Sequence, residues 1–379
     1  MPKFFLRYGM VGGGPGAFVG DVHRKAAGFE GKAVLTAGCF SRNYTNTLDI
    51  GEQLGIDSNR IYKNFNEMAE NEAVCEDPID FVVVVTPNYA HYEVSKKFLQ
   101  KGIHVVCDKP LALTVAEGNE LADLAKSKGL LFCITYTYSG YPMIKQAREI
   151  VKRGELGDIR MIMAEYPQDW LLEALENKDG IWRTDPQYTG VSNCVGDIGT
   201  HIENTIFYIT NLRITSLCAV LNNYGMDQKL DTNASVLLQY DNGASGVYWS
   251  SQVAVGCEND LKIRIFGTKG SLEWEQKNAD YLKLAFLNQP VRILSKGKGY
   301  LYQESQTAIR LPCGHPEGYY EAFANIYTSF NDALINLKTG NKEAHEKFDF
   351  PSIEAGLDGM KFIHGCVESS KRGSMWVSL

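Results

Sequence analysis

Two side chains in the stretch 193–209 have the types and the spacing that proton transfer needs. Asp197 and His201 lie four residues apart, so a helix would place both on one face. A histidine beside a carboxylate can exchange a proton near neutral pH, which suits it to acid–base catalysis. The alternative is a core histidine with a helix-capping aspartate, and this segment taken alone favours that alternative. Two side chains are too few to hold a metal ion, so we predict no metal.

Lys109 is a third candidate, because it comes shortly after the apolar run 103–107. The carboxyl ends of parallel strands border the crevice in which such sheets bind ligands, and a lysine there would face the ligand. A lysine in a surface turn before a helix is the alternative.

A glycine-rich segment, GGGPGAFVG over residues 12–20, follows the first apolar run. Glycines let backbone N–H groups approach a pyrophosphate, and Gly-x-Gly-x-x-Gly or Ala between a strand and a helix is typical of dinucleotide binding. Its position after a first strand favours this interpretation over a glycine-rich turn with no ligand. Gly20 could instead be the last glycine of a longer loop. The candidate phosphate contacts are Gly12, Gly14, Pro15, Gly16 and Ala17.

The end of the second predicted strand should lie beside the adenosine ribose of such a cofactor. A carboxylate there favours NAD, whereas an arginine accommodates the 2′-phosphate of NADP. The chain has Ser41 and Arg42 at this point and no carboxylate until Asp49. NAD or NADP is therefore expected, with NADP favoured, although Arg42 could simply stack on the adenine or face solvent. A further loop, Thr86-Pro87-Asn88, would lie beneath the nicotinamide.

The elements that must position these residues follow from hydrophobic patterning. Five short apolar runs rich in β-branched residues predict buried parallel strands at 4–11, 33–40, 79–86, 103–107 and 130–135. Helical patterns at 93–102 and 115–129 alternate with them, which predicts a doubly wound α/β domain over residues 1–135.

After residue 136 the chain changes to runs in which apolar and polar residues alternate. These predict a large antiparallel or mixed open sheet, with a hairpin turn at Asp241-Asn242-Gly243. The second domain is expected to span residues 136–379. The predicted strands are 159–166, 214–224, 232–240, 245–254, 261–266 and 271–275, and the predicted helices are 141–154, 317–337 and 351–371.

Composition excludes several classes of protein. The 379 residues carry 38 Lys and Arg against 45 Asp and Glu, and a net charge of −7 disfavours a nucleic-acid partner. Nine cysteines without a C-x-x-C pair are typical of reduced thiols in a cytoplasmic protein. No apolar run approaches the roughly 18 residues of a membrane span, so no membrane partner is expected.

In this order and spacing, the motifs resemble those of the Gfo/Idh/MocA oxidoreductases (glucose–fructose oxidoreductase, inositol dehydrogenase and rhizopine catabolism). The carriers are the glycine loop with Gly20-x-x-His23, TPNxxH at 86–91, DKP at 108–110 and GDxGxH at 196–201. The resemblance runs over essentially the whole chain. It implies an N-terminal Rossmann domain and a C-terminal α/β domain with a large, mostly antiparallel open sheet. It also implies a dehydrogenase that uses NAD(H) or NADP(H) on a secondary alcohol or ketone of a sugar, cyclitol or related polyol. Because a large sheet with an exposed apolar face usually needs a partner, we also expect a homodimer or homotetramer.

The resemblance assigns roles residue by residue. Lys109, Asp197 and His201 match the family's catalytic residues, with either Lys109 or His201 as the formal base. Asp108 replaces the usual glutamate before the lysine, and Tyr136 falls where an asparagine often follows the last strand of the first domain. The expected cofactor contacts beyond the loop are Ser41, Arg42, Thr86, Pro87, Asn88, His91, Asp108, Lys109, Trp182 and Arg183.

Polar and aromatic residues of the second domain would suit a carbohydrate-like ligand, because aromatic faces cover C–H groups and polar groups bind hydroxyls. With the acid–base residues, the expected substrate contacts are Lys109, Tyr136, Gln168, Trp170, Asp197, His201 and His315. Two alternatives remain open at this stage. One is a dihydrodiol or other non-sugar carbonyl dehydrogenase of the same family, and the other is a dinucleotide sensor without turnover.

Overall fold

The computed structural model describes residues 5–177, 181–224, 229–340 and 348–379. The chain divides into two compact units. The first consists of Met1–Thr137 and Tyr319–Leu357, and the second of Tyr138–Gly318 and Asp358–Leu379.

The first unit is built on a five-stranded parallel sheet with the order β2-β1-β3-β4-β5. Four of the five strands lie within the predicted runs, the first extends one residue beyond its run to Gly12, and the predicted Rossmann-type sheet is confirmed. Buried β-branched residues fill the central strand, as a sheet covered on both faces requires. The strands are β1 (Leu6–Gly12), β2 (Ala33–Cys39), β3 (Phe81–Val85), β4 (His104–Cys107) and β5 (Phe132–Ile134).

Five helices connect or follow these strands. The last of them begins at a capping box in which Thr114 and Glu117 each bind the other's backbone N–H, and it ends at Gly129 in the left-handed region. The first three helices along the chain were given no range in the sequence-based prediction, because each has only a few apolar residues on its buried face. The helices are α1 (Phe18–Gly28), α2 (Tyr44–Gln53), α3 (Phe65–Glu72), α4 (His91–Gln100) and α5 (Val115–Lys128).

A late helix, α11 (Tyr319–Lys338), also belongs to the first unit. It packs on α1, where the buried Nδ1 of His23 lies 2.7 Å from the hydroxyl of Tyr327 and the His23 ring meets Phe323 edge-on. The prediction placed every residue after 135 in the second domain, and the structure differs for residues 319–357. The physical reason is that periodicity identifies the apolar face of α11 but not the surface on which it packs.

The second unit contains the remaining helices. The last helix, α12, starts in the segment assigned to the first unit and continues into the second. The helices are α6 (Pro142–Lys152), α7 (Trp170–Asn177), α8 (Pro186–Thr189), α9 (Thr200–Thr210), α10 (Gln303–Gln306) and α12 (Ile353–Lys371).

A nine-stranded sheet forms the body of the second unit, in the order β13-β12-β11-β10-β6-β9-β8-β7-β14. Every neighbouring pair is antiparallel except β6 with β9, so the predicted mostly antiparallel sheet is confirmed. The predicted hairpin joins β8 and β9. The strands are β6 (Ile159–Pro167), β7 (Ile214–Asn222), β8 (Asn233–Tyr240), β9 (Ser245–Ser251), β10 (Lys262–Gly267), β11 (Gly270–Glu275), β12 (Tyr281–Phe286), β13 (Arg292–Ser295) and β14 (Val377–Ser378).

One face of this sheet is covered and the other is open. Along β8, buried and exposed residues alternate, with Val236 and Leu238 inside and Leu237 outside. Within the described part of the chain, no helix is both long and apolar enough to cross a membrane.

Glu203 is a carboxylic acid buried in α9. Burial and, to a smaller extent, the nearby Asp358 raise its pKa, Arg213 partly opposes them, and the resulting pKa is about 8. Because the pKa is higher in the folded chain than in the unfolded one, ionisation destabilises the fold as pH rises from about 4.5 towards 8.

We therefore expect Glu203→Gln to raise the melting temperature at pH 9 by at least roughly 3 °C and to leave it nearly unchanged at pH 5. Glutamine resembles the protonated acid, so the variant removes only the cost of ionisation. Thermal unfolding at the two pH values measures the effect. Glu52→Gln, at an exposed position of α2, is the control, and an equal shift at both pH values would contradict this account.

Candidate active site

The glycine loop between β1 and α1 comes within contact distance of two neighbouring strand ends. Gly12 has a φ of +90°, and a Cβ atom there would lie 2.5 Å from the carbonyl oxygen of Val85. A Cβ on Gly14 would lie 2.8 Å from the carbonyl oxygen of Phe40. Larger residues are therefore excluded from this turn.

Gly20, rather than Ala17, supplies the close packing that the last small residue of a dinucleotide loop provides. A Cβ on Gly20 would collide with the Cα atom of Gly13, which lies in the loop itself. Ala17 is instead the residue before the first turn of α1. The structure thus corresponds to the longer-loop alternative.

The loop suits the pyrophosphate of a dinucleotide. Ala17 offers no side-chain cap, so the first N–H groups of the eleven-residue helix α1 are not bound by a capping side chain. Pro15, Gly16 and Ala17 are exposed, and nothing lies within 4 Å of the place where a Cβ on Gly16 would be. An accessible helix N-terminus beside a glycine loop is a favourable place for a phosphate.

The turn after β2 is fixed by its own hydrogen bonds. The Ser41 N–H donates to Oγ1 of Thr47 at 2.9 Å, and that hydroxyl donates to the Ser41 carbonyl oxygen at 3.1 Å. Asn43 caps α2 by accepting from the N–H of Thr45. Arg42, between them, has an exposed side chain.

His91 links the two loops that follow β3 and β4. Its buried ring has Nδ1 2.7 Å from the Pro110 carbonyl oxygen and Nε2 2.9 Å from the Thr86 carbonyl oxygen. Burial lowers the pKa of His91, and a neutral ring donates through only one of its nitrogens. We expected His91 to contact the cofactor, whereas in this structure both of its ring nitrogens face these loops. Pro87 is exposed, and Asn88 opens a short 3₁₀ turn before α4.

Asp108 fixes the backbone at Lys109. Its Oδ1 accepts from the Lys109 N–H at 2.9 Å and from the Thr135 hydroxyl at 3.0 Å. The Lys109–Pro110 peptide bond is cis, and Lys109 is partly exposed. Tyr136, expected among the substrate contacts, is buried directly after β5.

Asp197 and His201 lie in the second unit and on one continuous helical segment. A π-helical turn, Val195–Gly199, carries Asp197, and α9 begins directly after it. Both side chains are partly exposed, whereas Ile198 and Ile202 are buried behind them. We expected a single α-helix here, and the structure instead has a π-helical turn before α9. Such turns are often found at functional sites.

The buried carboxylate of Asp231 fixes the start of this segment. It accepts from the N–H of Asn193 at 2.9 Å, from the N–H of Val195 at 3.0 Å and from the hydroxyl of Ser192 at 3.0 Å. Burial raises the pKa of Asp231, and these three hydrogen bonds oppose the rise. Sequence analysis missed Asp231, because nothing in the local pattern connects it to residues nearly forty positions earlier.

Aromatic rings surround His201. The Tyr138 ring meets the His201 ring edge-on with centroids 5.1 Å apart, and the Tyr166 ring lies 6.3 Å away. The two tyrosine hydroxyls are hydrogen-bonded to each other. Our sequence analysis did not select either tyrosine. Tyr138 lies in the 3₁₀ turn Thr137–Gly140 and reaches His201 through tertiary structure, so no local pattern marks it.

Three of the predicted ligand contacts form a small cluster in the second unit. Nε1 of Trp170 donates to Oε1 of Gln168 at 2.9 Å, and the Arg183 guanidinium lies 5.5 Å from the centre of the Trp170 ring. Gln168 is in turn held by Asn259, which our sequence analysis missed. The side chain of Trp182 lies outside the described residues.

His315 lies in an exposed loop. A buried ion pair holds the loop, since Nζ of Lys296 lies 3.0 Å from Oε1 of Glu317. The same ammonium donates to the His315 carbonyl oxygen at 2.9 Å. This contact of His315 is therefore made by its backbone carbonyl oxygen and not by its side chain.

Comparison with known proteins agrees with these features. The family model "Oxidoreductase family, NAD-binding Rossmann fold" matches residues 6–136, and the model of the GFO/IDH/MocA C-terminal domain matches residues 144–273. The oxidoreductase YfiI of Bacillus subtilis strain 168 is 37% identical over 382 residues, which cover 98% of this chain and 96% of that protein. Levoglucosan dehydrogenase of Pseudarthrobacter phenanthrenivorans is 25% identical, covering 92% of this chain and 99% of that protein.

Solved structures give the same result. An inositol dehydrogenase homologue from Azotobacter vinelandii, complexed with NAD⁺, is 34% identical with a TM-score of 0.96, covering 99% of this chain and 97% of that one. The same homologue complexed with NADH and myo-inositol gives a TM-score of 0.94 at 34% identity, covering 99% and 98%. The chain therefore belongs to the Gfo/Idh/MocA family of oxidoreductases, and its first unit contains an NAD-binding Rossmann domain.

Proposed function

We propose that the enzyme interconverts a secondary alcohol and a ketone on a sugar, a cyclitol or a related polyol. The observation that carries this proposal is the pair Asp197 and His201, partly exposed on one helical segment whose beginning is held by a buried carboxylate. The myo-inositol complex of the Azotobacter homologue and the name of levoglucosan dehydrogenase support this substrate class.

In this proposal His201 accepts the proton of the substrate hydroxyl, and the Lys109 ammonium binds the same oxygen. A positive charge beside the oxygen stabilises the alkoxide that develops as the C–H bond breaks. Asp197 orients His201 or Lys109. In the reverse direction, His201 returns the proton to the carbonyl oxygen.

The cofactor would be held by residues of the first unit. The bound dinucleotide supplies the hydride acceptor or donor. The glycine loop would bind the pyrophosphate through its backbone, and the loops tied together by His91 would border the nicotinamide. The residues proposed to hold it are Gly12, Gly14, Pro15, Gly16, Ala17, Ser41, Arg42, Thr86, Pro87, Asn88, Asp108 and Lys109.

A carbohydrate-like ligand would need hydroxyl partners and an aromatic face. The hydrogen-bonded pair of Gln168 and Trp170, with Arg183 over the indole, supports a role for this cluster in substrate binding. All nine cysteines are free thiols, which supports a reducing compartment such as the cytoplasm.

We also propose that the open face of the nine-stranded sheet joins copies of this chain into a dimer or tetramer. Met163, Val247 and Leu237 lie side by side across β6, β9 and β8, and their side chains are 39%, 41% and 49% exposed. A contiguous exposed apolar row is typical of an association surface.

The activity is tested by incubating the purified protein with NAD⁺ or NADP⁺ and a panel of inositols, aldoses and anhydrosugars. We expect reduction of the dinucleotide with at least one polyol, and His201→Ala should lower kcat by about 10²–10⁴-fold because positioned acid–base catalysis is lost. The dissociation constant for the dinucleotide should stay within twofold. His364→Ala, in α12, is the matched control. A wild-type kcat for His201→Ala would contradict the proposed role of His201 as the proton acceptor.

Cofactor choice is tested at the end of β2. Because Ser41-Arg42 offers no carboxylate, we expect NADP⁺ to be accepted, with Arg42 bound to its 2′-phosphate. Arg42→Ala should then lower kcat/KM for NADP⁺ about tenfold, which corresponds to the lower end of the range for a hydrogen bond between charged groups. The value of kcat/KM for NAD⁺ should stay within twofold. Equal losses with the two dinucleotides would show that Arg42 does not select between them.

Assembly is tested by sedimentation velocity at micromolar concentration. Leu237→Lys places a charge in the apolar row, so a dimer or tetramer should shift towards the monomer mass. Gln289→Lys adds the same charge at an exposed turn between β12 and β13 and should leave the mass unchanged. A wild-type monomer would contradict the proposed assembly.

A further inference from the structure

We propose that Gln252 is a positioning residue for the reaction, because its side-chain amide holds the carboxylate of Asp197. The inference rests on the proposed function, which gives Asp197 a part in the chemistry. Gln252 is fully buried directly after β9, and its Nε2 donates to Oδ2 of Asp197 at 2.8 Å. None of the sequence motifs includes it.

The direction of the Gln252 amide is set by its other neighbour. Nδ2 of Asn193 lies 2.6 Å from Oε1 of Gln252 and 3.3 Å from the carbonyl oxygen of Asp231. A carbonyl oxygen can only accept, so the Asn193 amide must present its NH₂ group to both partners. Oε1 of Gln252 must then be the acceptor, which leaves its NH₂ group directed at Asp197.

Both amides are anchored through the backbone as well. The Asn193 N–H donates to Oδ1 of Asp231 at 2.9 Å, and the Gln252 N–H donates to the Thr232 carbonyl oxygen at 2.9 Å. Asp231 therefore fixes the start of the helical segment through its carboxylate, and it orients the Asn193 amide, and with it Gln252, through its backbone carbonyl oxygen. A buried network of this kind restricts rotation of a side chain more than one surface hydrogen bond would.

The network connects the buried interior to a group that solvent can reach. Asn193, Asp231 and Gln252 are buried, whereas Asp197, at the end of the series, is partly exposed. The hydrogen bond donated to Oδ2 restrains rotation of the Asp197 carboxylate. In the proposed reaction the direction of this carboxylate determines how Asp197 orients its catalytic partner.

A kinetic double-mutant cycle tests the inference. Gln252→Met keeps the length of the side chain and removes the donor, so kcat should fall by about 10–100-fold, in line with the cost of misplacing a reacting group. The dissociation constant for NAD⁺ should not change. In the Asp197→Asn background, Gln252→Met should change kcat less than twofold, since the group it positions is already altered. Gln289→Met, in the exposed turn, is the control.

A merely structural role predicts something else, namely an equal loss of kcat in both backgrounds. That result, or wild-type kcat in Gln252→Met, would overturn the inference.

A second arm needs no substrate and separates this inference from the proposed function. Gln252→Glu places two carboxylates against each other, so the melting temperature should fall. In the double variant Gln252→Glu with Asp197→Asn, the donor and the acceptor of this hydrogen bond are exchanged. The double variant should recover most of the lost melting temperature, and its kcat should equal that of Asp197→Asn alone. Strictly additive shifts in melting temperature would contradict the contact. If the wild type oxidises no polyol while the stability cycle shows coupling, the proposed function fails and the contact stands.

Discussion

The buried carboxylate of Asp231 is the group on which the proposed site depends. It accepts hydrogen bonds from the N–H of Asn193, two residues before the π-helical turn begins, and from the N–H of Val195, the first residue of that turn. A buried polar group is tolerated only when protein hydrogen bonds replace those that it makes to water, and here three donors do so. Because the turn that carries Asp197 starts from these bonds, Asp231 helps to position the proposed acid–base pair.

The first unit depends on close backbone approaches of a different kind. Gly12 and Gly20 each leave no room for a Cβ atom, so the loop between β1 and α1 lies directly against the end of β3 and the body of the helix. The buried contact of His23 with Tyr327 then holds α1 to a helix that comes some three hundred residues later. Backbone N–H groups are left accessible at the loop because its own side chains are small.

Much of this could be predicted from sequence, and the failures share a cause. The parallel sheet, the mostly antiparallel sheet, the glycine loop and the pair Asp197 and His201 follow from local periodicity, spacing and family motifs. Asp231, Gln252 and Tyr138 make their contacts through tertiary structure, so no local pattern marks them. The packing of α11 in the first unit was missed for the same reason. His91 was predicted to contact the cofactor, whereas its two ring nitrogens lie against the carbonyl oxygens of Pro110 and Thr86.

The most direct test of the account follows the hydrogen itself. A polyol that supports turnover, deuterated at the carbon that bears the reacting hydroxyl, is incubated with the enzyme and oxidised dinucleotide, and the reduced dinucleotide is analysed by mass spectrometry. The account predicts one deuterium in each reduced dinucleotide and a slower single turnover with the labelled substrate. Reduced dinucleotide without deuterium would contradict direct hydride transfer from the polyol, and with it the proposed reaction.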